Sequence, residues 1–141
     1  MCYIDFMKKY EILEHKADLK IRAFGKTKEE LFLNAMFGMF EGARYEGELK
    51  AKSEKRKISI HSLDLPSLLV DFLSKVLYLV ETKKLVFQKI EFQKFTENEI
   101  EANLTGKPLK RMGVHIKGVT YHDLDIHQED GKWQATVLFD I

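Results

Sequence analysis

At 141 residues, 45% hydrophobic and 32% charged, the chain is expected to form a single domain over 1–141, burying about two-thirds of the surface it exposes unfolded. Its 23 Lys and Arg against 22 Asp and Glu leave a formal charge of +1, which offers no overall electrostatic footprint for nucleic acid or an anionic membrane. The lone cysteine, Cys2, excludes an internal disulfide and a cysteine-rich zinc centre, and suits a reducing compartment.

Met1 to Lys9 carry Asp5, Lys8 and Lys9 and lack the apolar stretch of a signal peptide. Leu19, Ile21 and Ala23 then alternate with Asp18, Lys20 and Arg22, the period-two signature of a strand with one buried face. A helix follows. Thr27 and Glu30 have capping-box spacing, Leu31, Phe32, Ala35, Met36, Met39 and Phe40 recur at three and four residues, and Gly42 is expected near its end. Lys50, Lys52, Lys55, Arg56 and Lys57 precede the strand of Ile58 and Ile60 and read as a solvated turn and strand edge.

Asp64 caps a second helix that tolerates Pro66 in its first turn and runs to about Thr82. Its apolar residues cover most of the cylinder, leaving only a narrow strip of Asp71, Ser74, Lys75 and Tyr78. Such a helix needs cover on several sides. Asp71 and Lys75 interrupt Leu65 to Val80, which is too short to span a bilayer, so the expected location is the cytoplasm. Val86 to Phe95 and Ile100 to Leu104 read as strands joined by a Thr96-Glu97-Asn98 turn, and a final strand turns Trp133, Ala135, Val137 and Phe139 to the core. The expected class is α+β, a curved mixed or antiparallel sheet wrapped around two helices.

Chemistry is concentrated in few places. Asp18 begins the first alternating strand on its polar side, Asp140 lies on the polar side of the last, and Ile141 beside it would carry a terminal carboxylate. Brought together, these oxygens would favour Ca²⁺, Mg²⁺ or Mn²⁺. His15, His61, His115, His122 and His127 match no zinc-binding spacing. Lys117, Thr120, Tyr121, His122, Asp123 and Asp125 form an unusually polar strand stretch, where simple alternation puts Thr120 and His122 on one face and Tyr121 on the other. An acid–base pair there is weighed against a hydrogen-bonded strand. No phosphate-binding glycine loop and no nucleophile elbow are present.

Tyr10-Glu11-Ile12-Leu13-Glu14-His15-Lys16-Ala17-Asp18 resembles the opening of the archease family, where a strand leads into His-Thr-Ala-Asp. Ile21-Arg22-Ala23-Phe24-Gly25-Lys26-Thr27, the helix start Glu29 to Phe32, Asp64-Leu65-Pro66-Ser67-Leu68-Leu69-Val70-Asp71-Phe72-Leu73, Ile116-Lys117-Gly118-Val119-Thr120-Tyr121-His122 and Phe139-Asp140-Ile141 are similar to later blocks in the same order. Lys16 departs from the family's Thr, and Gly118 from its Ala.

The resemblance implies an archease-like fold and a protein cofactor with no catalytic residue of its own. Its partner would be an RtcB-type RNA ligase of tRNA splicing and RNA repair, whose guanylylation and multiple turnover it promotes. The resemblance also implies a divalent cation, calcium first, at Asp18, Asp140 and Ile141; His15, Lys117, Tyr121 and His122 are candidates for a partner or nucleotide-site surface around it. No independent nucleic-acid binding and no membrane partner are expected. Two other roles are weighed beside it: a chaperone-like module acting on a tRNA methyltransferase, and a metal-dependent hydrolase using His122 with Asp123 or Asp125.

Overall fold

The computed structural model describes residues 8–14 and 18–141. Cys2, His15 and Lys16 lie outside the described residues. In chain order the elements are β1 (Tyr10–Glu14), β2 (Asp18–Gly25), α1 (Lys28–Ala43), β3 (Tyr45–Gly47), β4 (Glu54–His61), α2 (Leu65–Lys83), β5 (Leu85–Phe95), β6 (Glu99–Met112), β7 (Gly118–Glu129) and β8 (Lys132–Asp140).

The α+β class and the antiparallel pairing are present, with the strands divided between two sheets rather than curved into one. The first has the order β1-β2-β8-β7; in the second, β6 pairs with β3 and β4 along one edge and with β5 along the other. Each helix touches both sheets: α1 packs on β2 and meets β5, while α2 packs on β7 and meets β4 and β5. The cover required by the apolar circumference of α2 is supplied in this way, and Leu68, Leu69, Phe72, Leu73, Val76 and Val80 are all sealed from solvent. Asp71, Ser74, Lys75 and Tyr78 remain the less buried strip.

Local chemistry sets the helix ends. Thr27 Oγ1 accepts from the Glu30 amide at 3.1 Å, and Glu30 Oε1 accepts from the Lys26 amide at 2.8 Å. The reciprocal half of the expected cap therefore reaches one residue further back than a capping box. At the other end the left-handed residue that closes α1 is Arg44, φ 58°, with Gly42 still inside the last turn. Gly42 serves close approach instead of termination, since a Cβ there would come within 2.9 Å of Leu19 Cδ1. Asp64 caps α2 by accepting from the Ser67 amide at 2.9 Å, a bond that also holds its carboxyl below the usual range, and the helix closes at Lys84, φ 55°.

The turn between β5 and β6 is held by Thr96 Oγ1, which accepts from the amides of Asn98 and Glu99. Past Gly106, β6 exchanges β4 for β3 as its neighbour and so continues to Met112, well beyond the alternation legible at Ile100 to Leu104. The basic cluster is exposed except for the half-buried Arg56, with Lys55 near Glu91 and Arg56 near Glu54. The core centres on Phe32, which has no exposed surface and stands 5.6 Å from the Phe72 ring and 4.9 Å from the Phe95 ring.

Replacing Phe32 with Ala should remove the contact that joins α1 to α2 and β5 and lower stability by about 3–5 kcal/mol. Chemical denaturation of the two proteins measures it; a loss under 1 kcal/mol would show that the three rings do not form one packed unit.

Candidate site at the paired ends of β2 and β8

β2 and β8 pair without a shift from Asp18↔Asp140 to Gly25↔Trp133. The core face of the ladder is apolar: Leu19, Ile21 and Ala23 from β2 meet Phe139, Val137 and Ala135 from β8, all buried. Burial of that face sets the register, and the opposite face is then assigned by the pleat alone. It carries Asp18, Lys20 and Arg22 beside Asp140, Leu138 and Thr136, with Arg22 Nε donating to Thr136 Oγ1 at 3.4 Å.

Asp18 and Asp140 thus stand directly opposite each other on one face, where Cβ atoms lie about 4.5–5.5 Å apart. Asp18 is half-buried and Asp140 exposed. On its other side Asp140 faces Gly118 of β7. A Cβ added at Gly118 meets nothing within 4 Å, so the space beside the Asp140 carboxylate is open and the absent methyl group is sterically neutral.

The backbone around Asp140 is pinned from the β7 side. Ile116 is buried, its amide donating to Tyr45 Oη at 3.0 Å, and the next amide, Lys117, donates to the Asp140 carbonyl at 2.7 Å. Burial pushes the Tyr45 phenol up, against the lowering effect of the Ile116 hydrogen bond. The Ile141 side chain packs against the core, which holds the residue after Asp140 in place.

Like charges directly opposite in a sheet are destabilising unless something lies between them. Two carboxylates so placed, with open space alongside, are oxygen donors of the class that suits Ca²⁺, Mg²⁺ or Mn²⁺. Among the described residues no group of three His, Cys, Asp or Glu side chains is placed to hold a metal ion.

The polar stretch of β7 departs from simple alternation. Thr120 pairs with Leu138 and Asp125 with Thr136, so Tyr121 to Leu124 span the distance that β8 covers with Val137 alone. Asp123 takes the left-handed conformation, φ 57°. The strand bulges outward, and the expected division of Thr120 and His122 from Tyr121 does not hold. Tyr121 is 59% exposed, and His122 is an exposed side chain whose amide donates to Thr120 Oγ1 at 3.2 Å. His122 Nε2 is 3.5 Å from Asp123 Oδ2, while Asp123 also lies 3.9 Å from Lys20 Nζ. Asp125 belongs with His127: Oδ2 is 2.6 Å from Nδ1, and Glu129 approaches Nε2 at 3.6 Å. The two carboxylates flank opposite nitrogens of one ring and do not converge on a common point.

The bulge thus sets Tyr121 and His122 beside the rung below the aspartate pair. The side chains nearest that pair along β2, above all Lys20, were legible in the alternation but carried no signal that singled them out.

The sequence model of the Archease protein family matches residues 10–141. The chain belongs to the archease family. It is 39% identical over 142 residues to the protein archease of Methanosarcina mazei, covering 95% of this chain and 97% of that protein, and 33% identical to that of Thermococcus kodakarensis over 96% of this chain and all of the other. The crystal structure of an archease from Thermotoga maritima, described as a possible chaperone, superposes with a TM-score of 0.67 at 20% identity, over 93% of this chain and 96% of that one. A solution structure from Methanobacterium thermoautotrophicum gives the same TM-score at 27% identity, over 94% and 98%. Among the described residues no helix is long and apolar enough to cross a membrane.

Two outcomes follow from the geometry. Gly118→Ala should fold normally, within about 0.5 kcal/mol of the unsubstituted protein by denaturation, because the added methyl enters open space. The Asp125 hydrogen bond first, and then the charges of Asp125 and Glu129, raise the His127 pKa above 6.5. Stability from this pairing is therefore fully present below the unfolded histidine pKa and is lost as pH rises through the elevated folded value. An NMR titration of the imidazole should give a midpoint above 6.5 that falls toward it in Asp125→Asn; a midpoint unmoved by that substitution would remove the assignment.

Proposed function

We propose that this chain is an accessory protein, not a catalyst, that activates an RtcB-type RNA ligase in tRNA splicing and RNA repair through a divalent cation held by Asp18, Asp140 and Ile141. The observation that carries the proposal is the register Asp18↔Asp140. It joins the family's opening motif to its closing one at the end of the two inner strands of the first sheet.

The residues suit the ion. Asp140 is exposed, its carbonyl is tied to Lys117, and its neighbour Gly118 leaves room. A hard dication bound there would supply positive charge that a phosphate or a ligase metal site can sense. The protein's own part is positional. β2 and β8 fix the two carboxylates, Ile141 is seated by its packed side chain, and the bulge of β7 presents Tyr121 and His122 beside them to the partner. The ligase would perform guanylylation and bond formation, with this chain promoting the activation that permits repeated turnover in the cytoplasm. Calcium suits the irregular, partly open set of oxygens better than magnesium, which demands near-octahedral geometry.

Asp140→Asn should reduce calcium affinity by at least tenfold, measured by calorimetry, and abolish stimulation of multiple-turnover RNA ligation by the matching ligase, while the thermal transition stays within a few degrees of the unsubstituted protein. Full stimulation by a folded Asp140→Asn protein would overturn the proposal.

A further inference from the structure

Lys20 lies two residues along β2 from Asp18 on the same face, about 6.8 Å away by strand geometry. It stands opposite Leu138, which in turn faces Thr120. Both neighbours are uncharged. Its side chain is 25% exposed and its ammonium turns to Asp123 of the β7 bulge, Nζ to Oδ2 3.9 Å. Arg22, a further step along, is engaged with Thr136. Lys20 is therefore the cation of the rung adjoining the aspartate pair, and its charge has two acidic destinations: Asp123 on the bulge, or Asp18 and Asp140 on the ladder.

We propose that Lys20 is a positioning residue that couples the ion site to the bulge of β7, an inference that rests on the reading of Asp18 and Asp140 as cation ligands. An ion held at the pair would repel the ammonium and favour its contact with Asp123, steadying the segment that carries Tyr121 and His122; with no ion there, that ammonium would be shared between Asp123 and the aspartate pair, and the bulge would be held less firmly. The effect is reciprocal: whatever ion binding does to the Lys20–Asp123 contact, that contact does to ion binding by the same factor. The partner-facing segment and the cation site thus act together, so the form recognised by a partner is the loaded one.

The test is calcium titration calorimetry on the full chain with single and double substitutions. Lys20→Met keeps the buried stem and removes the competing charge, and it should tighten calcium binding about three- to tenfold at this separation and moderate salt. Asp123→Asn, a residue that tolerates the left-handed conformation, should weaken binding about threefold or more, because the ammonium is released toward the aspartates. In the K20M background Asp123→Asn should have less than a twofold effect, since its action passes through Lys20. Amide NMR signals of Tyr121, His122 and Asp123 should shift on calcium addition to the unsubstituted protein and respond far less in K20M. Unchanged affinity in K20M, or an Asp123→Asn penalty of the same size in both backgrounds, overturns the coupling and leaves the ion reading standing. Absence of calcium binding by the unsubstituted protein overturns both.

Discussion

The pairing of β2 with β8 is the constraint on which the rest depends. Its core face is a run of buried aliphatic and aromatic side chains, Leu19, Ile21 and Ala23 against Phe139, Val137 and Ala135. A slip of one residue would turn that whole set outward and carry the polar set, Asp140 among them, into the interior. Hydrophobic burial on one side thus dictates which charges meet on the other. The meeting of Asp18 and Asp140 needs no attraction between the aspartates themselves. It is imposed on two groups that repel, which is why the position is suited to a cation.

The surrounding elements tie down the aspartate pair and leave the neighbouring bulge outside the ladder. Ile116 buried under Tyr45 and the Lys117 amide on Asp140 tie the start of β7 to the end of β8. A few residues later the same strand leaves its register entirely, at Tyr121 to Leu124. The bulge leaves Tyr121 and His122 outside the ladder while Leu124 stays packed on the core. One strand therefore supplies both the backbone tie to Asp140 and the exposed Tyr121 and His122 beside it, with α2 packed against it.

Much of this was readable in advance because it is governed by local periodicity. The two helices, their caps at Thr27 and Asp64, the Thr96 turn and the inward set of β8 all follow from patterns of a few residues. The aspartate pair was suggested by alternation on two distant strands, but alternation states only which side of a strand a residue occupies. Which strand lies beside which is decided by the burial of all the elements together, so the register came only with the fold. Three features escaped for physical reasons. The Arg44 cap was hidden because an arginine in the left-handed region leaves no compositional mark and Gly42 drew attention to itself. The continuation of β6 past Leu104 depends on β3, a strand too short to signal. The β7 bulge interrupts period two without a glycine or proline to announce it, since the left-handed residue there is Asp123.

The Asp18↔Asp140 contact also bears on how the molecule comes into being. It closes a loop of about 120 residues, among the most expensive contacts in entropy that a chain of this length can make. During synthesis β2 emerges well before β8, and until β8 follows, its strand partner among the described residues is β1 alone. The helices and the β5–β6 hairpin, whose contacts are local, can be in place well before then. Among the described elements the acidic pair is thus the last to assemble, and a chain stalled before β8 would hold most of a hydrophobic core yet lack the Asp18↔Asp140 contact.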